Sequence, residues 1–381
     1  MVLQNHNVSK PLPPDAEDQP AVKGPEDSRL PRAIREASRR RRARANAGSA
    51  AAKYALEQAM RRSRTRSSPQ QLRLEMPRAQ PPVSDTELVE PDQKPRPKPV
   101  PIPRETVTLP RFLERPDYKD IPTQNIVAIE PGLVETPIDY LRDGLEVEGP
   151  KMLHTLNAMK PVPLESVLPS EVSVEIKDAA SDLPTHMFAV FGRQPFAKGA
   201  PKVNKQKVTL YPVHDIIFAS HCAHLPKLRT SKPQKENVKL PVVPVCLPSP
   251  QTFPILSSYL YTKRVDILLS ALLPAPPASL SGPLGLTSVD ETIPDDFFKA
   301  QKIAYAHQVS KTFTARALLQ NAMVINGVWR NVCALGVFDD RLWSAMDFAW
   351  DACLTALAFA TGNPKAMIAT PVEREIAAAV L

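Results

Sequence analysis

Six histidine and cysteine side chains in the middle of the chain have types that could bind a metal ion. They are His186, His214, His221, Cys222, His224 and Cys246. If residues 214–225 form a helix, His214 and His221 lie seven residues, or about 10.5 Å, apart, too far to share one zinc ion. His221 and His224 fit one ion but would need two further ligands, and the chain has no Cys-x-x-Cys pair. We therefore favour packing and capping roles and predict no metal; a zinc-dependent enzyme is the alternative.

Signals for hydrolytic or nucleotide chemistry are weak. The chain contains no Gly-x-Ser-x-Gly sequence. Gly144 and Gly149 have the spacing of a phosphate-binding loop, but two glutamates lie between them and Pro150-Lys151-Met152 follows where Lys-Ser/Thr is required. Cys222 neighbours His221, but adjacent residues on a helix point apart. The sequence thus predicts no catalytic residue and no cofactor, and we do not expect an enzyme.

Composition excludes further classes. The 381 residues include 43 Pro but only 12 Gly and 4 Cys, and the cysteines are too few for a disulfide scaffold. No stretch of 18 apolar residues occurs, and the first residues lack the apolar run of a signal peptide. We expect an intracellular protein with reduced thiols and no membrane contact.

Charge and aromatic residues divide the chain. Residues 1–105 contain 21 Lys and Arg against 13 Asp and Glu, whereas residues 106–381 contain 27 of each, so the net charge of +8 comes from the first quarter. Only Tyr54, Phe112, Tyr118 and Tyr140 of the 22 aromatic residues precede residue 151. A segment poor in large apolar groups cannot offset its ordering entropy. We therefore predict a disordered basic and Pro-rich arm over 1–150, a linker or docking segment over 151–183, and a packed core beyond.

Two arginine clusters in the arm indicate nuclear import. They consist of Arg39, Arg40, Arg41, Arg42 and Arg44, then Arg61, Arg62, Arg64 and Arg66. Such a pattern predicts a bipartite nuclear-localisation signal that binds an importer, and hence a nuclear protein. A solubilising tail is the alternative. Any direct DNA contact would be non-specific, because no DNA-reading motif accompanies the arginines.

Three serines in and beside the second cluster are candidate phosphorylation sites. They are Ser63, Ser67 and Ser68. A phosphate there would add about −1.5 to −2 charge and weaken importer binding.

Residues 184–273 show the pattern of a small α/β module. Residues 187–191 and 207–213 predict strands, residues 214–225 a helix, and residues 250–261 a second helix. The prolines in 241–247 place that extended segment at a sheet edge or outside the sheet.

This module resembles a BTB/POZ domain over residues 185–270. The resemblance rests on two motif halves: His214, Ile217, Phe218, Ala219, Ser220 and Cys222, then Leu247, Phe253, Leu256, Tyr259, Leu260, Tyr261 and Thr262. Lys263 departs from the family, which usually has Gly after the Thr. The resemblance implies a small sheet with helices and an interaction role, with self-association left open.

Beyond a Pro/Gly linker at 274–290, the sequence predicts a helical module at 291–361 and a tail at 362–381. Helices are expected near 297–309 and 312–333, and a third from Asp339 and Asp340 until Gly362. The predicted fold class is thus α+β, a BTB/POZ-like sheet followed by a helical bundle and preceded by the arm. The predicted interaction-module core comprises His214, Phe218, Cys222, Phe253, Leu256, Tyr259, Tyr261, Trp329, Trp343 and Trp350.

The region from Met187 to Leu357 also resembles the fungal clampless protein family of basidiomycetes. The segments that carry this resemblance are 187–195, 211–214, 257–264 and 332–339. It implies a nuclear, non-enzymatic regulator of sexual development, needed for clamp-cell formation downstream of homeodomain mating-type factors. Those transcription factors are therefore among the expected protein partners. The BTB/POZ resemblance implies an alternative function, a substrate adaptor of a cullin ubiquitin ligase.

Overall fold

The computed structural model describes residues 71–77, 104–157, 168–174, 182–193, 207–228, 238–275 and 295–368, with short pieces at 54–59 and 374–375 and single residues at 52, 159 and 378. Both arginine clusters and the three candidate phosphorylation sites fall outside the described residues. The described elements form a mixed α+β fold with small sheets and a C-terminal helical region, which confirms the coarse fold prediction.

The strands are β1 Gln71–Pro77, β2 Arg104–Pro110, β3 Glu171–Val174, β4 His186–Gly192, β5 Thr209–Val213 and β6 Val238–Leu247. The helices are α1 Thr123–Ile129, α2 Ile138–Asn157, α3 Asp215–His221, α4 Phe253–Thr262, α5 Val265–Leu272, α6 Asp295–Thr312, α7 Ala315–Leu335 and α8 Asp340–Ala360. Short 3-10 turns at Pro131–Leu133, Pro250–Thr252 and Pro364–Ala366 complete the described elements.

Strand β6 is an inner strand of the larger sheet. The strand order is β3-β6-β4-β5, with β6 antiparallel to β3 and parallel to β4, and a separate ribbon pairs β1 with β2. The prediction that the prolines of 241–247 exclude this segment from the sheet interior is therefore wrong.

The proline-containing strand is tolerated because its two halves have different neighbours. Residues 238–241 pair with β3, and residues 242–247 pair with β4. The N–H of Val242 donates to the carbonyl of Ser170 at 2.9 Å, so it points to the β3 side. Pro244, two residues later, faces the same side beyond the end of β3, where the missing N–H breaks no ladder bond.

The predicted disorder of residues 1–150 is wrong for residues 71–77 and 104–150, which the structure describes as folded. The ribbon buries Leu72, Leu74 and Met76, and α1 and α2 bury further aliphatic residues in the main hydrophobic cluster. The prediction rested on the small number of aromatic residues in this part of the chain. Leu, Ile and Met supply the buried apolar surface instead. The apolar run at 126–129 lies in helix α1.

The predicted boundary at residue 150 is also wrong, because α2 runs through it with Pro150 inside. This helix packs closely on α4. A Cβ at Gly149 would lie 2.1 Å from the carbonyl oxygen of Tyr261, so only a glycine allows this approach. Gly149 thus serves packing, in keeping with the prediction that it does not belong to a phosphate loop.

Replacing Gly149 with alanine is expected to lower the free energy of unfolding by about 3 kcal/mol, since a rigid backbone must move to admit the methyl group. Gly132→Ala provides the matched control, because its Cβ would lie 3.4 Å from the end of the Glu130 side chain. Chemical denaturation followed by circular dichroism measures both. Equal stabilities of the two variants would disprove the close contact.

Candidate functional site

The end of α3 is joined by backbone hydrogen bonds to the loop between α7 and α8. Cys222 forms a β-bridge with Val337, and the N–H groups of Ala223 and His224 donate to the carbonyls of Gly336 and Leu335, both at 3.0 Å. Gly336 has a φ of 66°, and a Cβ there would lie 2.9 Å from Nδ1 of His224. We use the name junction for this contact between residues 222–224 and 335–337, together with the side chains of His221, Tyr259, Lys263 and Asp339.

Lys263 places a buried ammonium group at the junction. It ends α4 in the left-handed conformation, with a φ of 53°, which is the geometry that glycine usually supplies at a helix end. Its Nζ donates to Oδ2 of Asp339 at 2.9 Å and to Nδ1 of His221 at 3.3 Å, and lies 5.2 Å from the ring centre of Tyr259. Burial lowers the pKa of Lys263, and the carboxylate of Asp339 opposes this.

Asp339 is the acceptor around which the junction is built. Oδ1 accepts a hydrogen bond from the hydroxyl of Tyr259 at 3.0 Å and another from the N–H of Leu342 at 3.1 Å, so Asp339 caps α8 as its position before the helix predicted. Burial alone would raise the pKa of Asp339, but the charge and hydrogen bond of Lys263 hold it well below its usual value. The carboxylate therefore stays ionised at neutral pH.

His221 is held neutral in the same cluster. Burial, followed by the charges of Lys263 and Arg142, lowers the pKa of His221 well below its usual value. Because Nδ1 accepts from Lys263, the proton sits on Nε2, and this buried nitrogen has no hydrogen-bond partner among the residues that the structure describes. The side chain thus acts as an acceptor inside a structural cluster.

The two sequence segments from which the BTB/POZ resemblance was inferred lie against each other. The hydroxyl of Tyr261 bonds with the backbone N–H of His214 at 2.8 Å and lies 3.1 Å from its Nδ1, while Nε2 of His214 lies 3.1 Å from the carbonyl of Asp182. Phe218 stacks on Phe253 with ring centres 5.9 Å apart. These residues, with Leu256, Tyr259 and Cys222, are buried, so the predicted interaction-module core of this region lies inside the fold.

Residues 110–116 begin at the last residue of β2, continue without regular secondary structure and cross the C-terminal helices; we call this segment the strap. Arg111 donates to Asp351 at 2.7 Å and Arg115 to Asp347 at 3.0 Å, so the strap runs antiparallel to α8. Lys302 of α6 also pairs with Asp351. Burial would raise the pKa of Asp351, but the charges of Lys302 and Arg111 hold it below its usual value.

All three tryptophans contact the strap. The indole N–H groups of Trp350 and Trp329 donate to the carbonyls of Pro110 and Glu114, at 3.2 and 2.7 Å. The guanidinium of Arg115 lies 5.1 Å from the ring centre of Trp343. Trp343 and Trp350 are buried and Trp329 is half-buried, so the predicted aromatic cluster of the helical module also anchors an N-terminal segment.

Residues 116–248 match the family model described as Clampless protein 1 N-terminal domain, and residues 266–379 match the one described as Clampless protein 1 C-terminal domain. Together the two matches span more than half of the chain. This chain belongs to the clampless protein family. The resemblance to this family drawn from the sequence is thereby confirmed, and the two domains indicate a role in clamp-cell development. No curated protein and no solved structure matches the chain.

In this clampless protein the junction connects the two family domains. Cys222 and His221 lie in the N-terminal match and Asp339 in the C-terminal match, while Lys263 lies between the two matched ranges. A single hydrophobic cluster extends from Leu72 to Met367 and includes buried residues of both domains. The two domains therefore share one core and are connected at the junction.

The six candidate metal ligands of the clampless protein are dispersed. His186 is buried beside Thr185, His224 lies exposed in the turn after α3, and Cys246 is exposed on β6. The described residues contain no group of three or more His, Cys, Asp or Glu side chains that could hold a metal ion. In the same part of the chain, no helix is long and apolar enough to cross a membrane.

Several residues of the candidate site in the clampless protein were not predicted from the sequence. Lys263 was noted only as a departure from a BTB/POZ pattern, and the strap arginines were not singled out. Arg111 and Arg115 have the same four-residue spacing as Asp347 and Asp351, but more than 230 residues separate the partners. This matching four-residue spacing was the one feature of the sequence that could have indicated the pairing.

Proposed function

We propose that this clampless protein is a non-enzymatic nuclear adaptor in fungal sexual development, acting through protein–protein contacts. The observation that carries this proposal is the burial of side chains that could otherwise act as nucleophiles or bases, among them Cys222, Cys353 and His214. Burial raises the pKa of Cys222 and of Cys353 to about 12 and that of Cys333 to about 11. These thiols are protonated at neutral pH and are therefore poor nucleophiles.

The buried histidines support the same proposal. Burial lowers the pKa of His214 to about 4, so its imidazole is neutral at neutral pH. Its two ring nitrogens contact the hydroxyl of Tyr261 and the carbonyl of Asp182. A general base works best with a pKa near the operating pH. A folded body that joins two domains over one core is suited to presenting surfaces to other proteins, such as the homeodomain mating-type factors that the family resemblance implies.

Nuclear import by the arginine clusters is tested in the full chain. Replacing Arg39, Arg40, Arg41 and Arg42 with alanine is expected to shift most of a fluorescent fusion from the nucleus to the cytoplasm, because the importer loses four of its cationic contacts. Replacing the same four residues with lysine keeps the charge and serves as the control. An unchanged nuclear fraction in the alanine variant would refute the import proposal.

A second candidate function is that of a BTB/POZ-type adaptor of a cullin ubiquitin ligase. The observation in its favour is the contact between the two motif halves, in which Tyr261 bonds with His214 and Phe218 stacks on Phe253. Affinity purification of the tagged full chain from mating cells, followed by mass spectrometry, distinguishes the candidates. A cullin among the recovered proteins supports the ligase adaptor, and transcription factors without a cullin support the first proposal.

A further inference from the structure

The contacts between the strap and the C-terminal domain have the features of peptide recognition. The face that holds the strap, which we call the groove, is formed by Trp329, Trp343, Asp347, Trp350 and Asp351. Two indole N–H groups bind main-chain carbonyls of the strap, and two carboxylates bind its guanidinium groups. Main-chain contacts give affinity that depends little on sequence, and the charged pockets add specificity.

The groove makes the same kinds of contact to the strap at two places that lie four residues apart. The carbonyl of Pro110 and the side chain of Arg111 are bound by Trp350 and Asp351. One repeat later, the carbonyl of Glu114 is bound by Trp329, and Arg115 is bound by Asp347 and the ring of Trp343. Arg115 also pairs with Glu57, outside the groove, at 3.0 Å.

Between the arginines, Leu113 is buried, whereas Phe112 and Glu114 are exposed. The groove thus selects two arginines four residues apart with an apolar residue between them. The exposed side chains of Phe112 and Glu114 do not contribute to this selection.

The strap and the groove belong to different parts of the chain. Residues 110–115 precede the match to the N-terminal family domain, which begins at residue 116, whereas every groove residue lies within the C-terminal match at 266–379. The strap also has no ladder or helix of its own beyond β2. It is attached to the groove by side-chain and carbonyl contacts that a competing segment can supply, and it is also bound by Tyr54, Glu57 and Gln58, whose contacts a competitor must break.

We propose that the C-terminal domain is a receptor for an extended Arg-x-Leu-x-Arg segment. The strap is its resident intramolecular ligand, and a partner protein that carries the same spacing displaces it. This inference rests on the proposed adaptor function, since it states the chemistry of one partner. A tethered ligand competes at an effective concentration of about 1 mM, so the strap keeps the groove closed to weak ligands.

The probe is a synthetic peptide of residues 109–118, titrated into the full-length protein while tryptophan fluorescence is recorded. All three tryptophans of the chain lie in the groove, so the signal reports its occupancy. The variant Arg111→Ala/Arg115→Ala, which weakens the resident strap, is expected to bind the peptide at least about 10-fold more tightly than the wild type. Glu114→Gln changes an exposed strap side chain and is expected to behave as the wild type.

A peptide in which both arginines are alanine is expected to lose at least about 10-fold in affinity for the double variant, because each charge-assisted pair contributes more than a neutral hydrogen bond. Equal binding of the two peptides, or no binding to a double variant with native circular dichroism, overturns the proposal. If the double variant does not fold, the wild type is titrated, with half-saturation expected at about millimolar peptide; no binding in that range also overturns it. The assay is independent of nuclear import and of recovered partners, so its failure is distinguishable from failure of the adaptor function.

Discussion

Replacing Asp339 with asparagine is expected to lower the free energy of unfolding by about 3–5 kcal/mol, because it leaves the ammonium group of Lys263 buried without a counter-charge. Asparagine keeps an oxygen that can cap α8 and accept from Tyr259, so the change tests the charge rather than the hydrogen bonds. Denaturant unfolding followed by far-ultraviolet circular dichroism gives the value.

Two further variants make this measurement specific. Lys263→Met combined with Asp339→Asn removes both charges, and it is expected to recover at least about half of the loss, since replacing a whole buried pair costs far less than breaking it. Asp340→Asn removes the neighbouring, exposed acid at the start of α8 and is expected to cost about 1 kcal/mol or less. A single Asp339→Asn variant as stable as Asp340→Asn would contradict the proposed role of the junction.

Local signals in the sequence predicted the elements that local physics determines. Asp339 precedes an apolar helical repeat and does cap α8, and residues 187–191 form the centre of β4 as their apolar run predicted. Capping, helix periodicity and strand patterns each depend on residues within one or two turns of each other. Such elements can be read from one sequence.

Long-range pairing could not be read in the same way. The junction brings Lys263 to Asp339 and His221 across 76 and 42 residues, and the strap pairs with α8 across more than 230. In the sequence, Lys263 and Arg111 each look like an ordinary surface cation. Only the fold shows that Lys263 is buried, that Arg111 is half-buried and that both charges are partnered, which is why the candidate site was predicted less well than the elements around it.

Lowering the pH from about 6.5 to about 4 is expected to reduce the free energy of unfolding by about 3 kcal/mol through His214 alone. Burial lowers the pKa of this side chain to about 4, whereas an unfolded histidine titrates near 6.5. In that window the unfolded chain binds a proton that the folded chain does not, so acid favours unfolding. His221, whose pKa is lowered further by burial and by Lys263, adds a loss of the same sign.

Two carboxyl groups set the limits of this effect. Asp339 has a depressed pKa, so the stability that it contributes is lost only when the pH falls below its unfolded value of about 3.9, outside the window. Burial raises the pKa of Asp182. The folded chain therefore protonates this carboxyl group at a higher pH than the unfolded chain does, and acidification stabilises the fold through this group. Asp182 is exposed, and solvent screening reduces its contribution. The histidines therefore determine that the free energy of unfolding falls as the pH is lowered through this window.

Unfolding midpoints in urea, measured at several pH values across this window, check the prediction. His214→Gln keeps hydrogen-bonding capacity without a titrating group, so the variant is expected to lose less stability on acidification than the wild type. His224→Gln alters an exposed histidine, leaves His214 and His221 in place and is expected to keep the wild-type slope. A wild-type stability that stays constant from about pH 6.5 to about 4 would show that the buried imidazoles are not held neutral by the fold.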